Sequence, residues 1–352
     1  MKTGKLLLIS LLLTAAVWLV YSWPLPRHAA GGIPSSATNV DKGNVRRMIQ
    51  GDHLQILYNH WLPADMLAGK TPWFHNVYEF NTGDDADRKQ GGSYNLPLSL
   101  VFAAGYYLGG RAVGWNLLGF VSLWITHLFT WLLVRRYLRR DLLAGVVALL
   151  AVALPYRWAM LAGGSPAGYA MAWVPMLMWG MDAAIRKGCL GGGIAAALAI
   201  LFAYWNDSHV FYFSVLLIPC WGVLVAIDEE KLPWKDTERW LEHIVALLPL
   251  LIMTLVVVIM AKNVVGAAAA TAQLERSAGE VALFSPDPAG FLRWRGFGHE
   301  SSIYLGVAIP AVLLAVLVLH LSRFVQGVGK TWRTTVFTVL LLIGIAVLLV
   351  LA

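Results

Sequence analysis

Asp52 stands three residues before Gln55 and six before Tyr58, where a helical pattern opens in a long polar stretch. An aspartate there can accept from the first free N–H groups of a helix, and D-x-x-Q is a version of the capping box. The same carboxylate could also present an oxygen to a substrate. Further on, Glu79 closes the run from Trp73, and Asp85-x-Asp87 follows beside Arg88 and Lys89. Such an oxygen pair could hold Mg²⁺ or Mn²⁺, or form a solvated turn. Asn206-Asp207-Ser208-His209 either makes a tight turn or carries function at membrane depth. Arg293 and Arg295 flank Trp294, ahead of Glu300. Paired arginines beside an aromatic could grip a lipid phosphate by forked hydrogen bonds or serve as snorkelling anchors. His53, His60 and His75 lack a metal-type spacing and read as surface or interfacial side chains. No Ser/His/Asp or Cys/His constellation stands out, and Cys189 and Cys220 form no metal pattern.

The elements that must position these groups are membrane spans. Of 352 residues, 58% are hydrophobic and 13% charged, with a mean hydropathy of +0.64. A soluble domain carries about 25% charged residues, so a water-facing surface is excluded. Nine apolar runs approach the ~20 residues that cross a bilayer: Leu6–Trp23, Ala112–Val134, Leu142–Met160, Gly168–Ile185, Leu190–Trp205, Val210–Ile227, Ile244–Ala261, Ile303–Leu321 and Thr335–Ala352. A shorter apolar piece, Pro97–Gly110, decides the topology. If it crossed, Arg135, Arg136, Arg139 and Arg140 would face outward, against the positive-inside bias. As a non-crossing helix it leaves every short basic loop inside.

That orientation places residues 24–111, the 206–209 turn and residues 262–302 outside. In the first loop Leu54, Leu57, Tyr58, Trp61 and Met66 recur at helical intervals, an apolar stripe suited to a membrane surface. Inside there are only short connections, with no glycine-rich nucleotide loop and no basic groove. The net charge of +7 is therefore a topology signal, and nucleic acid is not an expected partner. Within the spans, His127 reads as a packed, hydrogen-bonded residue and Asp182 as a partner for Arg186.

The outer loop carries G-D-x-x-Q-x-x-Y (Gly51, Asp52, Gln55, Tyr58), then L-x-G-x-x-P-W (Leu67, Gly69, Pro72, Trp73) and Pro97-Leu98. With Asp207-Ser208-His209, Tyr212 and the late Glu300…Tyr304-Leu305-Gly306, this pattern resembles the GT-C superfamily of polytopic glycosyltransferases, and within it the bacterial YfhO-type membrane proteins. The resemblance implies an all-α bundle of about nine transmembrane helices, residues 1–352 forming one domain in a bacterial inner membrane. It also implies a further outer domain beyond the last span, and the chain ends inside that apolar run.

The implied activity is inverting transfer of a sugar from a polyprenyl-phosphate donor to a cell-envelope glycan, lipid or protein. Asp52 would be the general base, with Arg293 and Arg295 beside the departing phosphate. Gln55, Tyr58, Glu79, His209 and Glu300 are the further substrate-binding candidates, and Asp85 and Asp87 the metal candidates. Asp41, Glu79 and Glu300 are rival carboxylates. Two other classes compete: a transporter or flippase, which needs buried charges and broken helices, and a non-catalytic envelope-assembly protein with the same fold.

Overall fold

The computed structural model describes residues 3–34, 53–75, 78, 94–138, 140–228 and 237–271. These residues form helices and connections, with no strand among them. Four helices carry segments long and apolar enough to cross a membrane: α1 (Thr3–Tyr21), α4 (Arg111–Val134), α10 (Ser208–Asp228) and α11 (Thr237–Thr271). A fifth span results if α5 (Asp141–Val152) and α6 (Pro155–Ala162), bent by 48° at their junction, are counted together. The chain is a helical membrane protein.

The other expected runs behave differently. Gly168–Ile185 does not form one helix: it splits into α7 (Pro166–Ala170) and α8 (Trp173–Lys187). Proline explains the breaks before α6 and α7. Pro155 and Pro166 occupy first helical positions, where a missing N–H and a fixed φ start a helix but cannot continue one. Gly164 adds a left-handed residue between them, φ +72°. Both α8, with 15 residues, and α9 (Leu190–Asn206), with 17, fall short of the ~20 needed to span. Ile303–Leu321 and Thr335–Ala352 lie outside the described residues.

The piece before the second span is α3 (Leu98–Gly109), 12 residues or about 18 Å long. That is too short to cross, as the charge argument requires. It folds back on α4 through Gly110, while α2 (His53–Leu67) packs on α3.

Small residues hold the bundle's centre. Membrane helices gain little from hydrophobic exclusion among themselves and associate through close van der Waals packing. Along α8, α9 and α11 the interface accordingly uses Gly180, Gly192, Ala196 and Gly193. A Cβ at Gly193 would collide with the Ala246 carbonyl, so backbone lies on backbone there.

The two ends of the bundle differ chemically. At one end the last turns of α4 and α8 meet the first turns of α9 and α11. Asp182 is fully buried there and takes ion pairs from Arg186 Nε at 2.8 Å and from Arg136. Tyr137 O–H donates to the same carboxylate at 3.1 Å, and Arg135 pairs with Asp141 at 3.3 Å. The expected Asp182–Arg186 pair is present, with two more partners than its helical spacing suggested. His127 is likewise packed and bonded. Its Nε2–H donates to Gly145 O at 2.9 Å, so Nδ1 accepts from Ser10 Oγ at 2.8 Å. That ring ties α1, α4 and α5 together.

Candidate functional site

The opposite end gathers the last turn of α1, α2, α3, the first half of α4, the α6–α7 junction and the α9–α10 turn. α2 begins at His53, where the sequence puts the first helical residue after an Asp52 cap; Asp52 lies outside the described residues. The most buried face of α2 runs His53, Ile56, His60, Pro63 and Ala64. Of the expected apolar stripe, Leu54 is exposed, Leu57, Tyr58 and Trp61 are half-buried, and Met66 is buried.

The two histidines therefore correct the expectation of surface side chains: each is 1% exposed. The reason is the aromatic ground they meet. The His53 ring stacks 5.7 Å from Trp115 and donates through Nε2 to Pro34 O at 2.9 Å. A Cβ at Gly164 would sit 2.7 Å from that ring, so glycine is required there by space as well as by φ. His60 sits among Tyr169 at 5.7 Å, Phe102 at 5.9 Å and Trp115 at 6.3 Å. Neither of its ring nitrogens has a hydrogen-bond partner among the described residues. Burial pushes its pKa down to about 3, so the imidazole is neutral at physiological pH.

Motif residues Leu67, Gly69, Pro72 and Trp73 turn out to be a helix ending. Gly69 adopts φ +70°, and Lys70 N–H returns to Asp65 O at 3.2 Å, the geometry in which an αL residue closes an α-helix. Asp65 is a buried carboxylate that pattern reasoning passed over. It accepts from Thr71 Oγ1–H at 2.5 Å and Tyr78 O–H at 2.7 Å, which fixes the chain after α2.

The 206–209 turn resolves similarly. Asn206 Nδ2 donates to Leu96 O at 2.8 Å and Phe202 O at 2.7 Å. Asp207 Oδ1 accepts from Val210 N–H at 2.8 Å, the bond of an N-cap to the third residue of its helix. His209 is exposed, its Nδ1 3.8 Å from Asp207 Oδ1. Capping accounts for Asp207, and tying for the Asn206 amide nitrogen.

One charge was hidden inside an apolar run. Arg157, in the first turn of α6, is 1% exposed. Its Nε–H donates to Gly168 O at 3.2 Å, and its terminal nitrogens donate to Thr126 Oγ1 and to Ser122 Oγ, the latter at 3.4 Å. No carboxylate pairs with it among the described residues. The available signal was its position as the single charge within Leu142–Met160, where an intramembrane ionisable group implies function.

Of the expected site residues, Gln55 is exposed. Tyr58 packs 6.0 Å from Trp61 and against Leu62, Met66 and Tyr94, away from His60's aromatic surroundings. Glu79, Asp85, Asp87, Arg293, Arg295 and Glu300 lie outside the described residues. Among the described residues no group of three His, Cys, Asp or Glu could hold a metal ion, which leaves Asp85 and Asp87 aside.

Compared with protein-family models, with curated proteins and with solved structures, the chain finds no match in any of the three. The GT-C resemblance rests on the quoted motifs alone, and within them Gly69 and Asp207 have local structural explanations.

Proposed function

We propose that the chain is a GT-C-like membrane glycosyltransferase of about nine spans. It would move a sugar from a polyprenyl-phosphate donor to a cell-envelope acceptor on the outer face of a bacterial inner membrane. In that reaction the acceptor hydroxyl oxygen attacks the anomeric carbon from the side opposite the phosphate. The new C–O bond forms as the old one breaks, and the phosphate leaves with its electron pair. Asp52 takes the acceptor proton. The leaving group is already a stable anion, so no strong general acid is needed, and Arg293 and Arg295 would balance the charge developing on it.

The observation that supports this reading is the docking of α2. His53, the residue after Asp52, is pinned between Trp115, Gly164 and the Pro34 carbonyl. General-base catalysis needs a rigid support for its carboxylate, and the helix that follows Asp52 is held against the bundle from its first described residue. The test uses the full chain in lipid nanodiscs with a radiolabelled polyprenyl-phosphate sugar. Asp52→Asn is expected to lower turnover about 10²- to 10⁴-fold, the usual worth of a positioned base. Unchanged turnover would remove Asp52 from the reaction.

A transporter or flippase is the second reading, and specific observations favour it. The segment from α5 to α8 is broken three times, and it carries a buried arginine. Discontinuous helices around a buried charge are how many transporters build a substrate site. Flux in proteoliposomes lost in Arg157→Met, with no transfer activity in the parent chain, would select this reading.

A further inference from the structure

Ser122 and Thr126 lie 11 and 15 residues along the 24-residue helix α4, so the Arg157 guanidinium sits about 17 to 23 Å into a helix of roughly 36 Å. That is the middle of the bundle. Each hydroxyl is already committed as a donor: Ser122 Oγ–H to Gly119 O at 2.8 Å, and Thr126 Oγ1–H to Ser122 O at 2.9 Å. They offer only lone pairs to the arginine, as does the Gly168 carbonyl. All three acceptors are neutral. A buried guanidinium normally has an anion beside it, because neutral acceptors do not offset the loss of hydration.

Donor arithmetic points the same way. A guanidinium has five N–H bonds, and Arg157 uses one on Nε and one on each terminal nitrogen. One N–H on each terminal nitrogen is left over among the described residues, and an oxyanion offers the charged acceptors that these two lack. On the same broken segment two further buried groups capable of donating, the Tyr169 hydroxyl and the Trp173 Nε1–H, have no partner among the described residues. Tyr169 follows the Gly168 that bonds Arg157, and its ring packs on Trp115 at 5.6 Å and 4.0 Å from a Cβ position at Gly119. Trp115, Gly119, Ser122 and Thr126 follow one another at four- and three-residue intervals, a single face of α4. Along that face, His60 and Tyr169 lie towards the α2 end and Arg157 lies deeper.

We propose that Arg157 is the centre of an oxyanion-binding site inside the bundle, taking a phosphate group that enters from the α2 end along this face of α4. The inference rests on burial and hydrogen bonding, and it holds whether or not the chain transfers sugars. The phosphate could belong to a lipid or be free, and the test separates the two. Purified full-length protein in dodecyl maltoside is titrated with inorganic phosphate, with dodecyl phosphate and with dodecanol, while tryptophan fluorescence and the thermal midpoint are followed.

Saturable binding of dodecyl phosphate but not of dodecanol is expected, with affinity at least tenfold weaker in Arg157→Met. Binding of inorganic phosphate as well would mark a site for free oxyanions; its failure beside dodecyl phosphate would mark a lipid headgroup. Either result supports the site. If Arg157→Met does not accumulate as folded protein, Arg157→Lys replaces it, keeping the charge but removing the guanidinium's spare N–H groups, and a several-fold weakening is expected. Wild-type protein that binds neither phosphate saturably, or a variant with unchanged affinity, overturns the proposal.

Discussion

The bundle buries charge in two ways. At its basic end Asp182 is enclosed, but Arg136, Arg186 and Tyr137 converge on it, and the cluster joins the last turns of α4 and α8. In its middle Arg157 is equally enclosed and, among the described residues, meets only neutral oxygens. The first arrangement is closed, each charge having found its opposite within the fold. The second is open, and the missing counter-charge is the reason to look there for a ligand. Burial alone does not separate a structural charge from a functional one; the identity of its partners does.

Substitutions can break this contrast. Asp182→Asn keeps the shape of the lock but leaves two largely buried guanidiniums without an anion. It is expected to cost about 3–5 kcal/mol, as removal of one partner from a buried pair does, read as a drop in the detergent-solubilised thermal midpoint. A loss below 1 kcal/mol would show that the lock is hydrated.

His60 supplies the intermediate effect. Its folded pKa, about 3, lies below the 6.5 of an ordinary histidine. The unfolded chain therefore takes up a proton as pH falls through 6.5 while the folded chain does not. Stability is full above that pH and declines below it, by about 1.4 kcal/mol per pH unit until the folded ring titrates. Comparing thermal midpoints at pH 7.5 and 5 should show a smaller acid loss in His60→Phe than in wild type. Equal losses would mean that another group takes up the proton.

Arg157→Met should have the smallest effect on stability, within about 1 kcal/mol of wild type, because Ser122 and Thr126 keep their backbone bonds and an uncompensated charge is removed. A loss comparable to that of Asp182→Asn would erase the distinction between the two regions.

Much of the architecture was legible as a string of apolar runs. Residues 112–134 and 210–227 match α4 and α10 to within a few residues, and the charge bias singled out α3 as too short to cross. The breaks between α5 and α8 were harder to see. Pro155, Gly163, Gly164 and Pro166 were all present, but high apolar content outweighed them in a reading by runs. The site was less legible for a related reason. Apolar periodicity picked out Leu54, Leu57, Tyr58, Trp61 and Met66 as a membrane-surface stripe and said nothing of the opposite contact, where rings from α3, α4 and α7 receive His53 and His60, a pairing that exists only in three dimensions. Arg157 was masked by its apolar neighbours. His127 and Asp182 were read correctly because mid-span polar groups need partners, and Asp182 had one four residues away.

The glycine seam between α9 and α11 has a mechanical consequence. With the Ala246 carbonyl pressed against Gly193, those two helices have no side-chain cushion along which to slide or roll. The helix breaks of this bundle lie elsewhere, in the interrupted stretch from residue 141 to residue 172. Closely packed, continuous helices thus stand beside an interrupted flank that carries Arg157, so that whatever engages that side chain acts where the helices are broken.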